Sequence, residues 1–300
     1  MTASAHRPKL VMTLLARDEV DIVDANVAYH LNHGVDHVIA TDNASRDGTR
    51  DILADWARTG RLTLIDEPSD DYRQDIWVTR MALKARDELN ADWILPNDAD
   101  EFWTAPGGDL KAVVSKARAD ILSCARRNMV TSVEALGTQP WPQNLTARVD
   151  PPLPMPTLQD MLNDPLGAPF FYFALPPKVL LRADGLKRIP RGAHNAVYAG
   201  EAQRADTDVT VYHFPVRDPD AFEASVRQIG QAIRRDPTAS PKTSWKYRRW
   251  LAMLERGDGM NAVLQDTLPT HKRLTHDIEN GNVVMDQSFN QTLTSSRSRA

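Results

Sequence analysis

A chain of 300 residues, 42% of them apolar, can bury a sizeable core, which excludes disorder throughout. Its 36 basic and 40 acidic side chains nearly cancel, at a net charge of −4, and this argues against a nucleic-acid partner held through a polyanionic backbone. The one cysteine, Cys124, excludes an internal disulfide and a thiolate metal cluster, and its neighbours Ile121 and Leu122 predict an inert, buried strand position.

Residues 1–9 are too polar for a secretory signal, and no run approaches the ~20 apolar residues of a membrane span, so the expected compartment is the cytoplasm. Residues 10–16 form a near-continuous apolar run, the pattern of a strand buried on both faces, ending at Arg17, Asp18 and Glu19. Ile22, Val23, Asn26, Val27, His30 and Leu31 recur at helical spacing, with Gly34 as the stop. The pattern repeats: a short strand at 38–40, a polar loop at 42–48, and a helix marked by Ile52, Leu53 and Trp56. A third strand at 62–65 ends in Asp66, Glu67 and Pro68. A helix over 73–89 follows, with Ile76, Trp77 and Met81 on one side, and then a fourth strand at 93–95.

Strands alternating with helices predict a mostly parallel α/β sheet, whose ligand sits beyond the carboxyl ends of the strands. After Cys124 the alternation weakens. The proline-rich segment 139–169 predicts a long loop or lid with little regular structure. Short strands are expected at 170–173, 179–181 and 209–212, and helices at 221–234 and 245–268. A polar, disordered tail is expected from 287 to 300.

The acidic cluster Asn97-Asp98-Ala99-Asp100-Glu101-Phe102 directly follows an apolar strand. Carboxylates at alternate positions of a chain leaving a sheet converge on one hard cation, Mg2+ or Mn2+, that bridges a diphosphate; the plainer reading is a solvated turn. Asp42, ending the second strand, is placed to accept hydrogen bonds from a ribose or base, while Asp47, Gly48 and Thr49 read mostly as the start of the next helix.

The order of apolar strand, Arg17-Asp18-Glu19, Asp42-Asn43-x-Ser45-x-Asp47-Gly48-Thr49, then Asp98-x-Asp100-Glu101-Phe102 resembles family 2-type glycosyltransferases of the GT-A fold. The similarity is to the bacterial branch with a D-x-D-E-F motif. It covers residues 8–103 and, more loosely, 177–222. The resemblance implies a Rossmann-like GT-A fold with a central, mostly parallel sheet flanked by helices, and a nucleotide-diphosphate sugar, of the UDP type, as donor. It implies nucleotide contacts from Arg17, Glu19, Asp42 and Asn43, with Asn97 and Asp98 beside the donor. Arg80 is expected on a phosphate or the sugar, and Asp98 and Asp100 on the cation.

Tyr212-His213-Phe214-Pro215-Val216-Arg217 resembles a downstream H-Y-x-x-R stretch, making His213 either a third ligand, favouring Mn2+ over Mg2+, or a satisfied structural residue. His194, in a G-x-H, is assigned either to the donor phosphates or to the acceptor. A base for an inverting transfer is sought among Glu101, Asp184, Glu201 and Asp206. Arg248-Arg249-Trp250 echoes only part of the Q-x-x-R-W motif of processive members, which argues against polymer synthesis.

The expected organisation is a catalytic domain over 1–235, with its nucleotide half at 8–105 and its acceptor or lid half at 106–235, then a helical extension over 236–286. The expected partners are the nucleotide sugar and a glycan or small-molecule acceptor, with peripheral membrane contact through 242–256 as the lesser reading beside an amphipathic helix. Two rivals are a nucleotidyltransferase, weakened because the turn after the first strand has no glycine, and a binding protein without turnover.

Overall fold

The computed structural model describes residues 7–69, 73–290 and 293. The elements begin with β1 (Leu10–Ala16), α1 (Val23–Asn32), β2 (His37–Asp42), α2 (Thr49–Arg58), β3 (Leu62–Asp66), α3 (Gln74–Leu89), β4 (Trp93–Asp98) and β5 (Glu101–Thr104). They continue with α4 (Leu110–Val114), β6 (Ile121–Asn128), α5 (Trp141–Asn144), β7 (Ala147–Val149), β8 (Lys178–Arg182), β9 (Leu186–Arg188) and β10 (Val197–Tyr198). The chain closes with β11 (Arg204–His213), α6 (Pro219–Arg235), α7 (Trp245–Arg256), α8 (Gly259–Thr267), α9 (His271–Glu279) and β12 (Val283–Met285).

The central sheet has eight strands in the order β3-β2-β1-β4-β8-β6-β11-β5. Only β8 and β5 run against the rest, so the sheet is mostly parallel, as expected. The two-residue period of β1 explains the layers on either side. Leu10, Met12 and Leu14 face a cluster that includes Val27, Leu31 and Leu53 of α1 and α2. Val11 faces the other way, onto Val78, Met81 and Ala85 of α3. Cys124 belongs to the core as expected, and burial pushes its thiol up to about 12. No helix among the described residues is long and apolar enough to cross a membrane.

A second apolar cluster lies between α6, α7, α8 and the segment around Phe170, with Trp250 fully buried in it. Here several expectations change. Residues Phe170–Tyr172 form a 3₁₀ turn, not a strand. Their side chains are all buried, and Trp250 meets both Phe170 and Phe171, at 5.3 and 6.1 Å, an enclosure that an alternating strand would not give. On α3 the buried stripe is Trp77, Val78, Met81, Ala82 and Ala85, while Ile76 is 45% exposed. β12 pairs with β7, an addition no local pattern announced.

The segment 139–169 is mostly irregular, with only α5 and β7 in it. At the C-terminal end, Phe289 and Leu293, placed above in the tail, are buried in the main core. Phe289 lies 4.6 Å from Phe102 and 5.1 Å from Phe214. The remainder of the expected tail at 291–292 and 294–300 lies outside the described residues.

Candidate active site

Parallel pairing sets the strand ends in a row. Asp42 is level with Ala16 on one side and Asp66 on the other, and Asp98 is level with Leu15. The turn leaving β4 is then fixed from below by a buried polar network. Asn26 of α1 donates to the carbonyls of Ala99 and Glu101 at 2.9 and 2.8 Å and accepts from Asn97, which in turn accepts from the Trp103 indole at 2.8 Å. His30 donates from Nδ1 to the Asn26 carbonyl and accepts the Trp103 amide at Nε2. Asn26, Asn97, His30 and the Trp103 indole thus satisfy one another beneath the turn, which makes it rigid.

That rigid turn presents Asp98 and Asp100 to a cavity of about 860 Å³. Asp98 is engaged on both oxygens: Lys178 Nζ lies 2.5 Å from Oδ2, and Gln74 donates to Oδ1 at 3.2 Å. Lys178 is 1% exposed and also pairs with Glu101 Oε2 at 3.0 Å. Burial opposes its charge, but the two carboxylates outweigh burial and raise its pKa. Glu101 is wholly buried, with Arg126 3.0 Å from its other oxygen.

Asp100 faces His213 across 3.2 Å, Oδ2 to Nε2. The pair exists because β11 lies between β5 and β6, setting His213 level with both Glu101 and Asn128. Asn128 donates to the carbonyls of Phe171 and Phe173, so its Oδ1 is left to face His213 Nδ1, at 2.8 Å. Burial holds the imidazole pKa below its ordinary value, although Asp100 pulls the other way. Burial likewise opposes ionisation of Asp100, but His213, Arg217 and Lys178 outweigh it and keep the carboxyl below the usual range. Asp100, Glu101 and His213 each bring one ligand atom within 4.8 Å of the others. Glu101, however, is already neutralised by Arg126 and Lys178.

Of the residues singled out in the sequence, Arg17, Glu19, Asn43, Asp98, Asp100, His194 and His213 line the cavity together. Arg17 reaches across to Gln228 of α6, whose amide oxygen accepts from it. Asn43 ties down the chain after β3 by donating to the Glu67 and Ser69 carbonyls. Glu19 pairs with Arg217 at 2.5 Å, and Arg217 also holds Asp21. Burial lifts the Glu19 carboxyl to about 8; Arg217 opposes this and the Asp100 and Asp21 charges add to it. His194 donates from Nδ1 to the Pro177 carbonyl at 2.9 Å, and burial, with Lys178 and Arg126 nearby, lowers its pKa to about 4. Asp47 stands before Gly48, the residue that opens α2, and accepts from the Thr49 amide and hydroxyl, as expected of a structural residue.

The remaining residues singled out in the sequence are engaged elsewhere or lie outside the cavity lining. Arg80 pairs with Glu67 at 3.2 Å and does not line the cavity. Asn97 spends its amide on Asn26 and Trp103, beneath the surface. Glu101 has no exposed surface from which to reach an acceptor, and Asp184, Glu201 and Asp206 are exposed away from the cavity. Asp42 is 2% exposed and takes the Ser45 amide on Oδ2, while Oδ1 has no partner among the described residues. Arg249 and Trp250 both bond to Asp266 at 2.9 Å, so the partial motif is a structural clamp. Sequence reasoning missed Lys178, Arg126 and Lys246 on the cavity wall. The available signal for Lys178 was a lone cation opening an apolar strand, Lys178-Val179-Leu180-Leu181.

The chain matches no protein-family model and no curated protein. Among solved structures it is similar to S. aureus TarS 1–349, at 14% identity and a TM-score of 0.42, over 76% of this chain and 66% of that one. It is similar to glucosyl-3-phosphoglycerate synthase from Mycobacterium tuberculosis, in complex with Mn2+, UDP and glucosyl-3-phosphoglycerate, at 14% identity and a TM-score of 0.28. That match covers 40% of this chain and 44% of the synthase. A third similarity, to the WbbM bifunctional glycosyltransferase, has 8% identity and a TM-score of 0.27 over 41% of this chain and 24% of that one. The chain therefore spans less than two thirds of each of these three.

Proposed function

We propose that the protein is a glycosyltransferase that moves a sugar from a nucleotide-diphosphate donor of the UDP type to a hydroxyl of a glycan or small-molecule acceptor. The observation that carries this reading is the meeting of His213 and Asp100. With Asn128 accepting the Nδ1 proton, a neutral His213 turns an Nε2 lone pair toward a carboxylate oxygen, itself an acceptor only, 3.2 Å away. Two acceptors so placed repel unless a proton or a metal cation lies between them. One imidazole nitrogen and one carboxylate oxygen, with open cavity in front, fit a first-row divalent ion and favour Mn2+ over Mg2+. Such an ion supplies charge neutralisation on a departing diphosphate.

The chain's own residues take the remaining roles. Asp98 keeps Lys178 charged at the wall, so an ammonium also faces the phosphates. The unpartnered Oδ1 of Asp42, next to the cavity residue Asn43, is assigned to a donor hydrogen of the nucleoside. His194, neutral at pH 7, has an Nε2 without a partner among the described residues, able to accept from a sugar hydroxyl. On this reading residues 8–105 receive the nucleotide, 106–235 complete the acceptor side and 236–286 roof it. Calorimetry with UDP tests it: heat is expected with Mn2+ and not without. A panel of nucleotide sugars should yield at least one that is hydrolysed. Absence of both binding and hydrolysis would sink the proposal.

A further inference from the structure

We infer that the second substrate carries an anionic group, a phosphate or a carboxylate, received where α7 opens on the cavity, by Lys246 with Arg126 beside it. The inference rests on the glycosyltransferase reading and adds to it the chemical class of the acceptor. Lys246 lines the cavity, and its ammonium stands over the rings of Phe170, Phe171, Tyr247 and Trp250 at 5.5, 5.6, 5.2 and 5.9 Å. These aromatic faces favour the cation, but they do not neutralise it. Among the described residues Lys246 has no ion pair and no hydrogen bond, unlike Lys178, which holds two carboxylates.

Three further features point the same way. Arg126 is 9% exposed at its side chain and lines the cavity; one nitrogen pairs with Glu101, while its buried Nε donates to nothing among the described residues. α7 is 12 residues long, and no side chain caps its first turn, which begins after a left-handed Ser244 at φ 45°. Uncapped amides at a helix start attract anions. Burial, with Arg126 nearby, also lowers the Lys246 pKa to about 8, although the charges of Asp100 and Asp98 pull the other way.

The position favours the acceptor over the donor. Lys246 is seated by the second apolar cluster, and through Phe171, 5.9 Å from His213, it adjoins the His213–Asp100 face. Arg17 and Asn43, the residues assigned to the nucleotide, bond elsewhere, to Gln228 and to the chain after β3.

Sulfate, a tetrahedral dianion, serves as the probe in calorimetry on the whole chain, with chloride at matched ionic strength as control. Protein saturated with Mn2+ and UDP is expected to bind sulfate. Lys246→Met, which keeps the stem among the rings, should weaken sulfate at least tenfold and leave UDP affinity within twofold; Lys246→Arg should restore sulfate binding. The inference is overturned if UDP-loaded protein takes up no sulfate, or if Lys246→Met loses UDP affinity in step, since the ammonium would then serve the donor phosphates. Should the wild type bind no UDP, the glycosyltransferase reading fails by itself. Sulfate titrated into the nucleotide-free protein then decides the anion site, and equal affinity in wild type and Lys246→Met overturns it.

Discussion

Asp100 and His213 reduce the site to one contact whose sign depends on what lies between two atoms. If the imidazole is neutral, the form that burial favours, the contact is repulsive in metal-free buffer and attractive around a cation. Asp100→Asn replaces an acceptor by an amide that can donate to His213 Nε2. The metal-free variant is therefore expected to be as stable as wild type or more so, by about 1 kcal/mol. It should lose the added unfolding free energy that Mn2+ gives the wild type. Urea unfolding with and without Mn2+ measures both. A metal-free loss of stability in Asp100→Asn would mean that a protonated His213 already balances the carboxylate.

The elements that shape the cavity are held at distances set by small residues. On α6, a Cβ added at Gly230 would stand 2.9 Å from the Leu251 side chain and 3.0 Å from the Tyr247 carbonyl of α7. Gly230→Ala therefore sets a helix-propensity gain of about 1 kcal/mol against overpacking of about 1–3 kcal/mol. A net loss of stability is expected in denaturant unfolding, and a net gain would show that α6 and α7 separate without cost. Because Tyr247 adjoins Lys246, the same variant should weaken sulfate binding before it affects UDP.

At this scale the first four strands and three helices were legible, since an apolar period reports burial around a local axis. β5 was not legible: the residues leaving an acidic turn look like loop until β11 pairs with them. The inward turn of Lys246 and Arg249 on α7 also escaped a reading that saw only a basic helical face.

For the molecule as a whole, His30 links stability to pH. Its ring is wholly buried, both nitrogens are committed in the neutral form, and burial lowers its pKa to about 3. A depressed histidine pKa means that the unfolded chain binds a proton that the folded chain refuses. The resulting penalty is absent above the ordinary value of 6.5 and grows as pH falls from there toward 3. Between pH 7 and pH 5 it amounts to about 2 kcal/mol. The stability difference between wild type and His30→Gln, from urea unfolding, should shrink by that amount over this interval. A difference independent of pH would show that His30 titrates in the fold as it does in the unfolded chain. Other buried histidines cancel in the comparison.

The amino-acid sequence by itself determined the alternating α/β plan, the burial of Cys124, and the fact that acids gather at strand ends. All three follow from periodicity and turn chemistry within windows of a few residues. Only the tertiary structure decided how each acid is engaged. Lys178 meets Asp98 across 80 residues and Asn128 meets His213 across 85, and both contacts depend on β8, β6 and β11 entering the sheet between β4 and β5. Strand order is chosen by the packing of the whole core, so no local pattern could tell that Glu101 lies sealed between two cations while Asp100 faces His213.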